Sequence, residues 1–207
     1  PRFHTHYPDV CINLVEQGDE LLLKSLNNDD VDVIIGGMPV GTQDMTVDLA
    51  LEQLLLIVPR EFHLVPPWAY ANNSYKNPYE ITPKQLQGLP LIMPSASNDI
   101  GGITRQALEH FDICPQSVTT VSSMQTAAML VSQNMGYLFT SPVFLGMQME
   151  YLASKIVYCT MKGMPDTRKI VAVYQPDTCK KEMVERFIEL LHTVVLPEKP
   201  GLFLLSE

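Results

Sequence analysis

Residues 10–35 read VCINLVEQGDELLLKSLNNDDVDVII, and the period of this stretch decides the fold class. Val10, Ile12 and Leu14 alternate, which predicts a strand over Val10–Val15, and Gln17-Gly18-Asp19 is a turn signal. Asp19 and Glu20 then open a helix whose Leu22, Leu23 and Leu26 recur at helical spacing, until Asn27-Asn28-Asp29-Asp30 stops it. Val31–Ile35 is almost continuously apolar, the pattern of a strand buried in a parallel sheet. Strand, helix, strand in that order predicts an α/β fold.

Outward from this unit the arrangement recurs. Upstream, Phe3, Tyr7 and Pro8 read as the last turns of a helix, so the chain is expected to be a piece of a longer polypeptide, and these first residues have no signal-peptide pattern. Downstream, Leu54–Val58 is a second long apolar strand ending at Pro59, and the stretch from Pro66 to Pro78 has no period and reads as a surface loop. The second half supplies strands at Leu89–Met93, Ser117–Val121, Tyr137–Phe139, Lys155–Cys159 and Lys169–Tyr174. Its helices are expected over Ile103–Phe111, after the cap Ser122-Ser123, and over about Cys179–Val195, with Asn134 a left-handed C-cap. Two Rossmann-like lobes joined by strand crossovers follow, with a cleft between them. The first is expected over 1–58 and 165–207 and the second over 59–164, with the hinge near Pro59 and Lys162-Gly163-Met164-Pro165.

Composition narrows the function. At 46% apolar and 18% charged, the 207-residue chain has the balance of a folded soluble protein, and no apolar run approaches the length of a membrane span. Fourteen basic against 23 acidic side chains give a net charge of −9, which repels a phosphate backbone. Cys11, Cys114, Cys159 and Cys179 are widely spaced, and the first three sit in or beside apolar runs; buried reduced thiols and a cytoplasmic location are expected. No GxSxG, HExxH, GxGxxG, Walker A or CxxC motif is present, and His4-x-His6 has no acidic or thiol partner nearby. Neither a catalytic residue nor a metal or cofactor site is therefore assigned. The most informative polar segment is Pro94-Ser95-Ala96-Ser97-Asn98-Asp99-Ile100-Gly101-Gly102, between the carboxyl end of a buried strand and a helix N-terminus. That is where α/β sheets bind ligands, and unpaired N–H groups there favour an anion. The same residues also suit a plain N-cap.

The order of motifs resembles a family. Phe3-x-x-x-Tyr7-Pro8-Asp9-Val10-x-Ile12-x-Leu14-x-Glu16-x-Gly18 with Asp32-Val33-Ile34-Ile35 resembles the start of the effector-binding domain of LysR-type transcriptional regulators. Leu55-x-Ile57-Val58-Pro59 with His63-Leu64, Ile81-Thr82-Pro83-x-x-Leu86-x-x-Leu89-Pro90, and Ser122-Ser123-x-x-Thr126-x-x-x-Leu130-Val131-x-x-Asn134-x-Gly136 continue the resemblance along nearly the whole chain. Departures are Asn134 in place of the usual Gly, Thr140-Ser141-Pro142 in place of a more apolar run, and a longer Trp68–Asn77 segment.

The resemblance implies a fold like that of type 2 periplasmic binding proteins and a ligand-sensing role rather than an enzymatic one. It also implies a homodimer or tetramer, and DNA binding only through an N-terminal winged helix outside this sequence. Effector contacts are expected from Ser95, Ser97 and Asn98 in one lobe and Gln17 and Gly18 in the other, with Met38, Pro39, Thr140, Ser141 and Pro142 completing the walls. The expected effector is a small organic anion. A solute-binding protein of a transport system is the competing reading, and an enzyme on the same scaffold is disfavoured because no nucleophile and base pair stands out.

Overall fold

The computed structural model describes residues 2–37, 45–95, 98–146, 149–195 and 201–204. In chain order the first elements are α1 (Arg2–His6), α2 (Asp19–Asn27), β1 (Ile34–Gly36), β2 (Met45–Gln53), β3 (Leu55–Pro59), β4 (Tyr79–Ile81), β5 (Leu91–Pro94) and α3 (Asp99–His110). There follow β6 (Val118–Val121), α4 (Met124–Ser132), β7 (Leu138–Thr140), α5 (Pro142–Leu145), α6 (Met149–Ala153), β8 (Ile156–Met161), β9 (Thr167–Tyr174), α7 (Lys181–Leu190) and β10 (Leu202–Leu204). The chain divides into two compact units, one of Pro1–Leu51 with Lys169–Glu207 and one of Glu52–Arg168.

The first unit is built on a sheet of order β1-β9-β2-β10. Alternation along β9 sends Ile170, Ala172 and Tyr174 into one buried cluster with Leu49, Val184 and Ile188, and Val171 and Val173 into another with Leu26 and Ile34. One face thus packs on α7 and the other on α2. Two expectations fail here. Val10–Val15 forms no strand: residues 11–17 have no regular structure and are exposed, because their alternation finds no neighbouring strand to complete a ladder. The Val31–Ile35 run shortens to β1 and pairs antiparallel with β9, Ile34 opposite Val173, rather than in a parallel sheet.

The second unit holds a sheet of order β4-β8-β3-β7 and the pair β5-β6. β3, apolar throughout, is wholly buried between two antiparallel partners, Leu56 facing Phe139 on β7 and Cys159 on β8. The β4–β8 and β5–β6 pairs are parallel. Tyr137 bridges to Leu91, which is possible because Gly136 precedes it: a Cβ there would lie 2.6 Å from the Pro90 carbonyl oxygen. Ser123 caps α4 by accepting from the Thr126 N–H at 3.2 Å, and Asn134 takes φ 65° just beyond the helix. The Pro66–Pro78 stretch forms a 3-10 turn over Pro67–Asn72 and is pinned at Asn73, whose amide exchanges two 2.8 Å hydrogen bonds with the Tyr158 backbone.

Candidate functional site

The turn after β5 is set by backbone bonds. The Ser95 N–H donates to the Val121 carbonyl at 2.9 Å, and the Asn98 N–H to the Ser95 carbonyl at 3.0 Å. The Asn98 carboxamide accepts from the Ile100 N–H at 2.9 Å, so this side chain is the N-cap of α3. The first turn of α3 lies so close to this segment that a Cβ on Gly101 would be 2.5 Å from the Ser95 carbonyl oxygen. Only glycine fits there. The helix N-terminus is already occupied by an acid, since Asp99 also accepts from the Ile100 N–H.

Four residues from distant parts of the second unit converge beside it. The Ser141 hydroxyl, on the residue after β7, donates to Glu52 at 2.5 Å. Arg168, at the start of β9, donates from Nε to the other Glu52 oxygen and pairs through Nη1 with Asp99. Glu52 is 2% exposed and the Arg168 side chain 10%. The guanidinium also lies 5.8 Å from the Phe144 ring centroid. Two carboxylates on one guanidinium leave the cluster at a formal −1, and losing one partner of such a buried pair leaves the other uncompensated, at about 3–5 kcal/mol.

The expected site residues fare unequally. Ser95 and Asn98 lie on the α3 turn, and Ser141 joins the cluster that includes Asp99. Thr140, Ser141 and Pro142 are buried rather than lining an open wall, and the Ser141 donor is already spent on Glu52. Gln17 and Gly18 belong to the first unit; Gln17 is exposed, and the Gly18 carbonyl accepts from the Leu21 and Leu22 N–H groups as α2 begins. Ser97, Met38 and Pro39 lie outside the described residues. Glu52 and Arg168 went unread in the sequence, and Asp99 was read only as part of the α3 turn, because the partners stand far apart in the chain and no spacing links them.

Other expectations are corrected. Cys11 and Cys114 are exposed, as is Cys179; only Cys159 on β8 is buried, and burial pushes its thiol up to about 12. Among the described residues no group of three His, Cys, Asp or Glu side chains could hold a metal, and no helix is long and apolar enough to cross a membrane.

The family model of the LysR substrate binding domain matches residues 1–195. The chain belongs to that family. Solved structures agree in fold. The regulatory domain of NMB2055 (MetR), a LysR family regulator from N. meningitidis studied as a double cysteine-to-serine mutant, is 16% identical with a TM-score of 0.73, over 100% of this chain and 90% of that one. The regulatory domain of Synechocystis PCC6803 CcmR in complex with 2-PG gives 13% identity and a TM-score of 0.74 over 94% and 89%. A cysteine mutant of Corynebacterium glutamicum OxyR gives 19% and 0.69 over 90% of this chain and 55% of that one. A search of curated proteins returns no match. As a LysR substrate-binding domain the chain is a ligand-sensing regulatory module of α/β fold, of a family that regulates rather than catalyses. That membership sets aside the transport-protein reading.

Proposed function

We propose that this domain senses a small organic molecule in its second unit, at the α3 turn and the Glu52–Asp99–Ser141–Arg168 cluster, and relays the binding to an N-terminal DNA-binding domain in the cytoplasm. The −9 charge supports leaving DNA contact to another domain. The observation that carries the site is the buried ion cluster: a charge network beside a helix N-terminus, with a hydroxyl from a separate strand end, is an arrangement whose balance a ligand can change.

The chemistry of that cluster argues against the anion inferred from sequence. Glu52 and Asp99 outnumber Arg168. An incoming carboxylate would have to displace one of these acids, whereas an amine, amide or polyol meets acceptors already in place. The ligand we propose is therefore a hydrogen-bond donor. Thermal-shift screening of the domain against amines, amides, polyols and organic acids tests this, since a ligand bound to the folded state raises its melting temperature by mass action. Donor-rich compounds should stabilise the domain, and Asp99→Asn should weaken them about tenfold. Stabilisation by organic acids alone would reverse the assignment.

Association is the second part of the proposal. Residues 11–17 expose Ile12, Leu14 and Val15 together in a segment that joins no sheet, and apolar side chains exposed together mark a surface that meets another chain. A homodimer formed through this segment fits, and a light-scattering mass near 23.2 kDa at micromolar concentration would speak against it.

A further inference from the structure

A cavity of about 470 Å³ lies along α3, within the second unit; none of the effector contacts expected from the sequence lines it, and of the proposed effector cluster only Arg168 does. Its apolar wall includes Leu54, Ile103, Phe111 and Met164, of which the last three are only half-buried although they pack on the edge of the core. The turn between β8 and β9 frames one side. Its Gly163 has φ +86°, a backbone conformation that favours glycine, and lies against the Phe111 ring. The Phe111 ring in turn meets the His110 imidazole edge to face, with centroids 4.6 Å apart. The volume falls within the range that holds small organic ligands. A peptide is the poorer match, since the neighbouring β8 is already paired on both sides and offers no free backbone edge.

The polar part of the lining decides the ligand's class. Gln106 and His110 stand at the exposed end, and Arg168 closes another part of the wall. Among the described residues no carboxylate lines the cavity, so nothing there pairs with a cation. Arg168 is held by Glu52 and Asp99 and attracts no further anion. What remains is apolar surface with hydrogen-bonding side chains at its margins.

We propose that this cavity is a second ligand site, separate from the α3 turn, and that it takes a small neutral molecule with an apolar body and a carbonyl or similar acceptor. An occupant would touch Thr167 and Arg168, the last residues before the chain passes into the first unit, so a second chemical input could act on the same crossover. The test uses acetophenone as the neutral probe and benzoate as its charged counterpart, each titrated into the intact chain with 13C-labelled Ile and Met methyl groups. Acetophenone should shift the Ile103 and Met164 methyl signals saturably, benzoate should bind them at least about tenfold more weakly, and Ile103→Trp should abolish the acetophenone response. Gln106→Trp, at the exposed margin, serves where the first variant does not fold. Ser141→Ala, which removes a hydroxyl of the donor cluster that is not a partner of Arg168, should weaken the donor compounds and leave the acetophenone shifts in place, so the two sites fail separately. Linear, unsaturable shifts up to the probe's solubility limit, or tighter binding of benzoate, would overturn the proposal.

Discussion

The two units solve the problem of covering apolar surface differently. In the second, one buried cluster runs from Leu54 through Phe139 to Met161, and the central strand β3 has a partner on each side. The first has two smaller clusters, one on each face of its sheet, and leaves Leu14 85% exposed in a segment with no ladder. Their charges differ in the same sense. The second unit buries an ion cluster at Arg168, while the first unit's pairs, Lys169–Asp48, Lys180–Asp32 and Arg186–Glu189, are about half exposed. A unit with a closed core can hold buried charges in a fixed polar site; a unit that leaves apolar side chains exposed is suited to meeting another chain.

The sharpest break in this contrast is a paired substitution. Arg168→Ala leaves Glu52 buried without its cation and should cost about 3–5 kcal/mol in urea unfolding, whereas Lys169→Ala, one residue on and exposed, should cost about 0–1 kcal/mol. Equal losses would mean that the buried cluster is not what distinguishes the second unit.

Alkaline unfolding reads the same core through Cys159. Its thiol is raised by burial from 9.0 to about 12, so above pH 9 the unfolded chain loses this proton before the folded chain does. Stability from the neutral thiol is complete below pH 9 and falls between 9 and 12, at about 1.4 kcal/mol per pH unit. Tyr137, also raised by burial, adds a decline of the same sign above its ordinary 10.0. Between pH 9 and 10 the slope should therefore flatten in Cys159→Ala.

A smaller effect separates capping from ligand contact. Asn98→Ala removes the α3 cap and should lower stability by about 1 kcal/mol while ligand affinity changes little. The smallest change in folding is expected at the exposed apolar segment. Leu14→Ser should alter monomer stability by less than about 0.5 kcal/mol yet lower the association constant measured by sedimentation.

How much of this was legible in the residues depends on how local the cause is. The unbroken run Leu54–Val58 announced a long apolar strand, and it became β3; Ser123 and Asn134 announced the two ends of α4 through chemistry within a few residues. The Val10–Val15 alternation was equally clear, but a strand needs a neighbour, and pairing is not written in one segment's period. β2 went unread because Thr46, Asp48 and Glu52 dilute its apolar pattern. Glu52 and Arg168 meet only through the fold. Asp99 was legible in part: it stands in the first turn of α3, within the polar segment the sequence singles out, while its pairing with Arg168 was not.

Hydrogen exchange of the domain, with and without the donor compound that raises its melting temperature most, tests the assignment of ligand sensing to the second unit. Protection should rise at Ser95, Asn98–Gly101 and Thr140–Ser141 and around Arg168, with residues 11–17 unchanged. Protection gained at residues 11–17 and around α2, with the Arg168 cluster unaffected, would contradict it.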